Sequence, residues 1–249
     1  MAIRRRIAFF LGLLALWQML CALRVWPEFL FPPPCAVAAS LLDGVQHGTY
    51  LRGIAASAAR LLIGYAISLL IGLPLGLLTG SIKWLDDTLG SLLLGLQTLP
   101  SICWLPLALL WFGLNERAIL FVIVMGAVPA ISVAAEDGVK NTSRLYVRAA
   151  RNMGADGWRL YVQVIFPAAL PGIVTGMKLG WSFAWRALMA GELLYGNAGL
   201  GHLLMMGREL NDMSQVVAVM GIIIALGLVV DRLVFAPMER RVRVRWGLV

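Results

Sequence analysis

Charged side chains inside long apolar runs are the residues of this sequence with chemistry to offer. Arg60, Lys178, Arg186 and Glu192 stand in such runs, where a charge at mid-bilayer costs about 2.5–3.5 kcal/mol on insertion scales. A cation there either lines a path along which an anion crosses, or is neutralised. Neutralisation comes from a partner (Arg186 with Glu192, for example) or from reaching to the headgroup region. Arg60, Arg186 and Glu192 are therefore candidate path residues. Trp181 and Trp185, one turn apart, line the same path, form its gate, or pack. Asp231 and Arg232 read as residues at a membrane interface. Catalysis lacks its parts. The sequence holds no paired carboxylates in the runs, no HExxH and no nucleophile beside a base. No metal site is expected either. His47 and His202 have no second ligand at metal spacing, and Cys21, Cys35 and Cys103 form no CxxC pair. The cysteines read as buried apolar residues.

The elements that carry these residues follow from composition. The chain has 249 residues, 60% of them hydrophobic and 14% charged, with a mean hydropathy of +0.84. Soluble domains carry about 25% charged residues, so a soluble fold is excluded, and the apolar fraction excludes disorder. The fold class is all-α, a polytopic membrane protein of about six transmembrane helices at about 20 residues each.

Arg4, Arg5 and Arg6 precede the apolar run Ile7 to Leu23, read as a retained first span. Trp26-Pro27 and Pro32-Pro33-Pro34 then break the helix, with room for a short helix from Ala36 to Gly44. The second span runs from about Ile54 to Thr79. Gly64, Ser68, Gly72, Gly76 and Gly80 recur at every fourth position, a stripe that lets another helix approach closely. Ser81 to Asp87 reads as a polar loop. The third span, about Thr88 to Phe112, holds Pro100 and Pro106 and is expected to be kinked or broken. The fourth is about Ala118 to Ala135, and a polar stretch follows from Glu136 to Gln163. The fifth span, about Leu170 to Leu194, carries a second stripe at Gly172, Gly176, Gly180 and Ala184. Residues 195–213, with Gly196, Gly199 and Gly201, read as a loop, and the sixth span is about Val216 to Phe235.

The net charge of +8 is distributed unevenly. Arg4 to Arg6, Lys83, the five cations of 136–163 and the four of the tail place thirteen of the 21 basic residues on one side. Only Arg24, Arg52, Arg117 and Arg208 fall on the other. Cytoplasmic loops carry the excess of Lys and Arg, so both termini and the 136–163 stretch are expected in the cytoplasm. The charge orients the chain; it does not indicate nucleic acid.

Within that stretch Arg144, Arg148 and Arg151 share one helical face, and Leu145, Ala149 and Met153 a neighbouring one. Gly154 interrupts, and a second short helix is expected from Asp156 to Val164. Two amphipathic helices bent at a glycine suit either an anionic membrane surface or a cytoplasmic partner.

Arg148-Ala149-Ala150, Gly154 and Val164-Ile165-Phe166-Pro167 resemble the EAA loop of ABC importer permeases: E-A-A, three residues, Gly, nine residues, I-x-L-P. The spacing fits throughout. Arg148 stands where the pattern has Glu, a charge reversal, with Val164 for Ile and Phe166 for Leu. Further stretches are similar to the sulfonate/taurine/nitrate/bicarbonate subfamily of binding-protein-dependent type I importers. These are Phe31 to Pro34, Ser57 to Gly64 with Arg60, Leu99 to Gly113, and Gly191-Glu192-Leu193 followed by Gly199-Leu200-Gly201.

The resemblance implies a permease subunit, not an enzyme, that pairs with a second copy of itself to form the pathway in a bacterial inner membrane. Arg148, Ala149, Ala150, Arg151, Gly154, Ala155, Leu160 and Pro167 would form a coupling loop docked on one of two cytoplasmic ABC ATPase subunits. A periplasmic or extracellular solute-binding protein would deliver the substrate. The implied division is residues 1–50 as first helix and periplasmic connection, 51–236 as the type-1 transmembrane domain with its coupling loop near 144–167, and 237–249 as a basic tail. The chain itself binds no cofactor; ATP and Mg²⁺ would sit on the ATPase. In agreement, Lys83, Lys140 and Lys178 are the only lysines and none follows a glycine, so no Gly-Lys-Ser/Thr phosphate loop exists. The implied substrate is a small anion such as a sulfonate, taurine, nitrate or bicarbonate. The alternatives are a vitamin precursor or aromatic solute, and a channel or scaffold subunit without an ATPase.

Overall fold

The computed structural model describes residues 2–195 and 198–245; Gly196 and the last four residues of the tail lie outside it. Among the described residues every regular element is helical. In chain order these are α1 (Ala2–Ala22), α2 (Pro34–Gln46), α3 (Thr49–Ser81), α4 (Lys83–Thr98), α5 (Ser101–Phe112), α6 (Glu116–Lys140), α7 (Arg144–Asn152), α8 (Gly157–Leu194), α9 (Leu200–Glu209) and α10 (Met213–Arg245). Four of them, α3, α6, α8 and α10, are long and apolar enough to cross a membrane. The pair α4 and α5 makes a fifth if taken as one broken span, and α1 holds a shorter apolar helix, Ile7–Ala22.

Two compact units emerge: Met1–Ser57 with Glu192–Leu226, and Ala58–Gly191 with Gly227–Val249. In the second, α6 is the hub. The α3 stripe lies against it. A Cβ on Gly76 would fall on the Ser132 carbonyl oxygen, and one on Gly64 would meet the Ile123 side chain at 2.7 Å. Ser132 Oγ donates to the Gly72 carbonyl at 3.0 Å, a polar tie where the two backbones approach closely. The α8 stripe lies against α6 as well, with Gly172 beside Gly138 and Gly176 beside Ala134. Ala135, Val139, Ala169 and Ile173 form one core cluster at this seam. Both stripes thus serve helix packing, as their spacing indicates.

The third span is broken. The axes of α4 and α5 diverge by 101°. Leu99 is extended before Pro100, the conformation a following proline imposes. Pro106 sits in the first turn of a new helical segment, where its missing N–H costs nothing. Pro74, Pro129 and Pro171 lie inside helices that continue through them.

Several polar segments are more helical than their composition suggests. Ser81 to Asp87 is not a loop: only Ile82 lies outside a helix. Asp86 is held there by Lys140, whose Nζ sits 2.6 Å from both Asp86 Oδ1 and Glu136 Oε1. Glu136 to Lys140 are the last residues of α6, not a loop. Residues 195–213 contain the helix α9. Cys35 and Cys103 are exposed and Cys21 half-buried, all three as free thiols, so the expectation of buried cysteines is corrected. In a membrane protein an apolar residue gains as much by facing lipid as by facing the core.

Candidate functional site

The segment between α6 and α8 is built as a rigid elbow. Ser143 caps α7, its Oγ accepting from the Leu145 N–H. At the other end Gly154 adopts φ +83°, the left-handed conformation that a side chain disfavours. The Gly154 N–H then donates to Arg151 O at 2.9 Å, and the Ala155 N–H to Ala150 O at 3.0 Å. This pair of reversed bonds is a Schellman motif. It explains the Ala-Ala and Gly spacing: Ala150 is buried under the turn, and Gly154 supplies the backbone angle.

The start of α8, Gly157–Leu160, buries Leu160, and a π-helical turn at Tyr161–Ile165 leads the helix past Pro167. Tyr161 Oη donates to Leu77 O at 3.3 Å, and Trp158 stacks on Tyr161 with ring centroids 6.1 Å apart. On the outside of the elbow Arg148, Ala149, Arg151 and Gly154 are exposed, together with Leu145, Met153 and Trp158.

The intramembrane candidates separate into three places. Trp181, Trp185 and Arg186 line one cavity of about 280 Å³ with Lys178, Ser182, Asp231 and Phe235. Lys178 and Asp231 form an ion pair at 2.6 Å across it, so Asp231 has a charge partner. Arg186 does not depend on Glu192 for neutralisation: its Nε donates to Ser182 O at 3.2 Å and its guanidinium lies 4.5 Å from the Phe183 ring centroid, a cation–π contact. Trp181 meets Tyr65 edge-on at 5.1 Å.

Arg60 is not among the residues lining that cavity. It is 8% exposed and pairs with Glu116 Oε1 at 2.9 Å. Glu116 opens α6, where a carboxylate is also favoured by the helix dipole.

Glu192 occupies the third place. It is 1% exposed, and Ser57 Oγ lies 2.9 and 2.7 Å from its two carboxyl oxygens. The Gly201 N–H donates to Oε2 at 3.0 Å and the Leu200 N–H donates to Ser57 Oγ at 2.8 Å. The carboxyl group therefore caps the N-terminus of α9, satisfying donors that have no partner within the helix. Gly199 has φ +139° and passes so close that a Cβ would strike the carboxyl group.

Sequence reasoning missed Ser57, Glu116 and the Lys140–Asp86–Glu136 cluster as partners. A general signal was available for Glu116: a buried intramembrane Arg demands a carboxylate, and Glu116 stands at a span end.

The chain matches the family described as "Binding-protein-dependent transport system inner membrane component" over residues 72–244. A putative ABC transporter permease of Methanocaldococcus jannaschii is 33% identical over 222 residues, 87% of this chain and 83% of that protein. A putative aliphatic sulfonates transport permease of Escherichia coli is 31% identical over 236 residues, 95% of this chain and 89% of that protein. A nitrate import permease of Synechocystis is 27% identical, covering 89% and 83%. Among solved structures, a chain of the MetNI methionine ABC transporter in an inward-facing conformation matches with a TM-score of 0.63 at 22% identity, covering 79% of this chain and 95% of that one. The all-helical fold, the elbow between α6 and α8 and these matches have one conclusion: the chain is a membrane-embedded ABC importer permease of the binding-protein-dependent family.

Proposed function

We propose that two copies of this chain form the translocation pathway of an ATP-driven importer, with both termini in the cytoplasm and a small anion as substrate. The observation that carries the reading is the elbow at α7. It is rigidly capped at both ends, and it exposes apolar side chains on the side with the excess of basic residues. A passive pore has no use for such an element; a subunit driven by a separate ATPase needs one. Residues 1–50 add the first helix and an outer connection to the transport domain of 51–236, and 237–249 form a basic tail.

The relatives' names speak for the substrate class, since aliphatic sulfonates, taurine, nitrate and bicarbonate are all small and anionic or zwitterionic. In this chain the α8 cavity supports the same class. The Lys178–Asp231 pair is neutral as a unit, which leaves Arg186 as the net charge among the lining residues. Trp181 and Trp185 line the cavity with it, and apolar walls strengthen the attraction of a cation for an anion. Glu192 and Arg60 serve the fold that frames the path, through Ser57 and Glu116 respectively.

Purification from cells that co-express the neighbouring ATPase and binding-protein genes tests the reading. The expected result is a complex of two permease and two ATPase chains that survives size exclusion in mild detergent. A permease that never retains an ATPase would contradict it.

A further inference from the structure

From the charge and exposure of the coupling elbow we infer that its partner ATPase presents an acidic cleft, one that would reject a coupling helix with Glu in the place of Arg148. The inference rests on the coupling role proposed above and adds the chemistry of the partner surface.

Arg144, Arg148 and Arg151 project from α7 and Arg159 from the turn that follows. All four are exposed, and no carboxylate pairs with any of them among the described residues. Asp156 is the one acidic side chain between Ser143 and Leu160. The elbow thus carries four cations against one anion.

Between and beside them stand Leu145, 70% exposed, Met153, 82%, and Trp158, 77%. Leu145 and Met153, this exposed on a polar, non-spanning segment, mark a surface that another molecule covers, and Trp158 follows at the start of α8. An apolar centre within a charged rim is the anatomy of a protein interface. Four unpaired cations in that rim call for carboxylates opposite, because like charges brought together cost several kcal/mol.

An anionic bilayer surface offers negative charge too, but it would favour cations and apolar groups arranged on opposite faces of a helix lying flat. Here the cations Arg144, Arg148 and Arg151 and the apolar Leu145 and Ala149 lie on neighbouring faces of α7, and all five are exposed. Such a mixed outer surface suits a protein partner.

The test uses the full permease–ATPase complex in nanodiscs of zwitterionic lipid. Arg148→Glu is expected to weaken ATPase retention by about tenfold or more, and Arg148→Gln by less. Retention by the wild type is expected to fall steeply with added salt. Replacing a carboxylate of the ATPase cleft by Lys is expected to restore binding to the Arg148→Glu permease. Size-exclusion profile and thermal unfolding establish that the variants are folded, and the salt titration stands without any variant. If the wild type retains its ATPase and Arg148→Glu retains it equally, with the same salt slope, the acidic cleft is refuted while the coupling role survives. If retention instead tracks added anionic lipid and ignores the charge at position 148, the surface is a lipid face and the inference is overturned. A wild type that binds no ATPase at all would overturn both readings.

Discussion

Glu192→Ala is expected to lower the thermal midpoint of the purified permease by roughly 5–10 °C, the largest single loss of stability foreseen for this chain. The substitution removes the acceptor for the Ser57 hydroxyl and the Gly201 N–H in a place where Glu192 is 1% exposed. Each buried polar group left unpaired costs about 1–3 kcal/mol, and a domain of this size loses about 2–4 °C per kcal/mol. Glu192→Gln retains an acceptor and most of the volume, so it is expected to cost less than half as much. The first turn of α9 should loosen with it, seen as faster amide exchange at Leu200 and Gly201. An unchanged midpoint for Glu192→Ala would show that the carboxyl group does not hold α9 in place.

The second large effect is expected on coupling and not on stability. Gly154→Pro forces φ to about −65° where the native angle is +83°, and it deletes the N–H that donates to Arg151 O. The Schellman turn cannot form, so α7 loses its fixed angle to α8. Substrate uptake is expected to fall to background, with ATP hydrolysis no longer stimulated by loaded binding protein. Gly154→Ala separates conformation from space. Nothing lies within 4 Å of the position a Cβ would take, so its effect is purely that of the left-handed backbone, about 1–2 kcal/mol, and partial uptake should remain. Unchanged substrate-stimulated hydrolysis in Gly154→Pro would refute the elbow as the coupling element.

The features legible in the sequence were local or periodic. Gly64 to Gly80 and Gly172 to Ala184 repeat at the helical period, and both stripes do meet α6. The proline pair at 100 and 106 announced the break between α4 and α5. Arg148 to Pro167 carried its turn in its spacing, since Ala150 and Gly154 stand where a helix C-terminus needs a carbonyl acceptor and a left-handed residue.

What escaped were pairings across long separations. Ser57 and Glu192 are 135 residues apart, and Arg60 and Glu116 are 56 apart. Nothing periodic links them; only the packing of α3 against α6, and of α9 beside Ser57, brings them together. Lys178 and Asp231 likewise meet only because α10 returns alongside α8 at that level. Hydropathy also misjudged length. Lys83 to Asp87 and Glu136 to Lys140 look like loops because they are polar, yet a helix extends beyond its apolar window where its charges are paired, as Lys140 pairs Asp86 and Glu136.

Uptake into proteoliposomes tests the central claim most directly. The permease, its ATPase and lipid are reconstituted with ATP and Mg²⁺ inside, and loaded solute-binding protein with labelled substrate is added outside. The account predicts accumulation of label that requires internal ATP, the binding protein and an intact elbow, so that Gly154→Pro vesicles stay at background. Label that equilibrates without ATP, or that enters equally well through the Gly154→Pro permease, would contradict it.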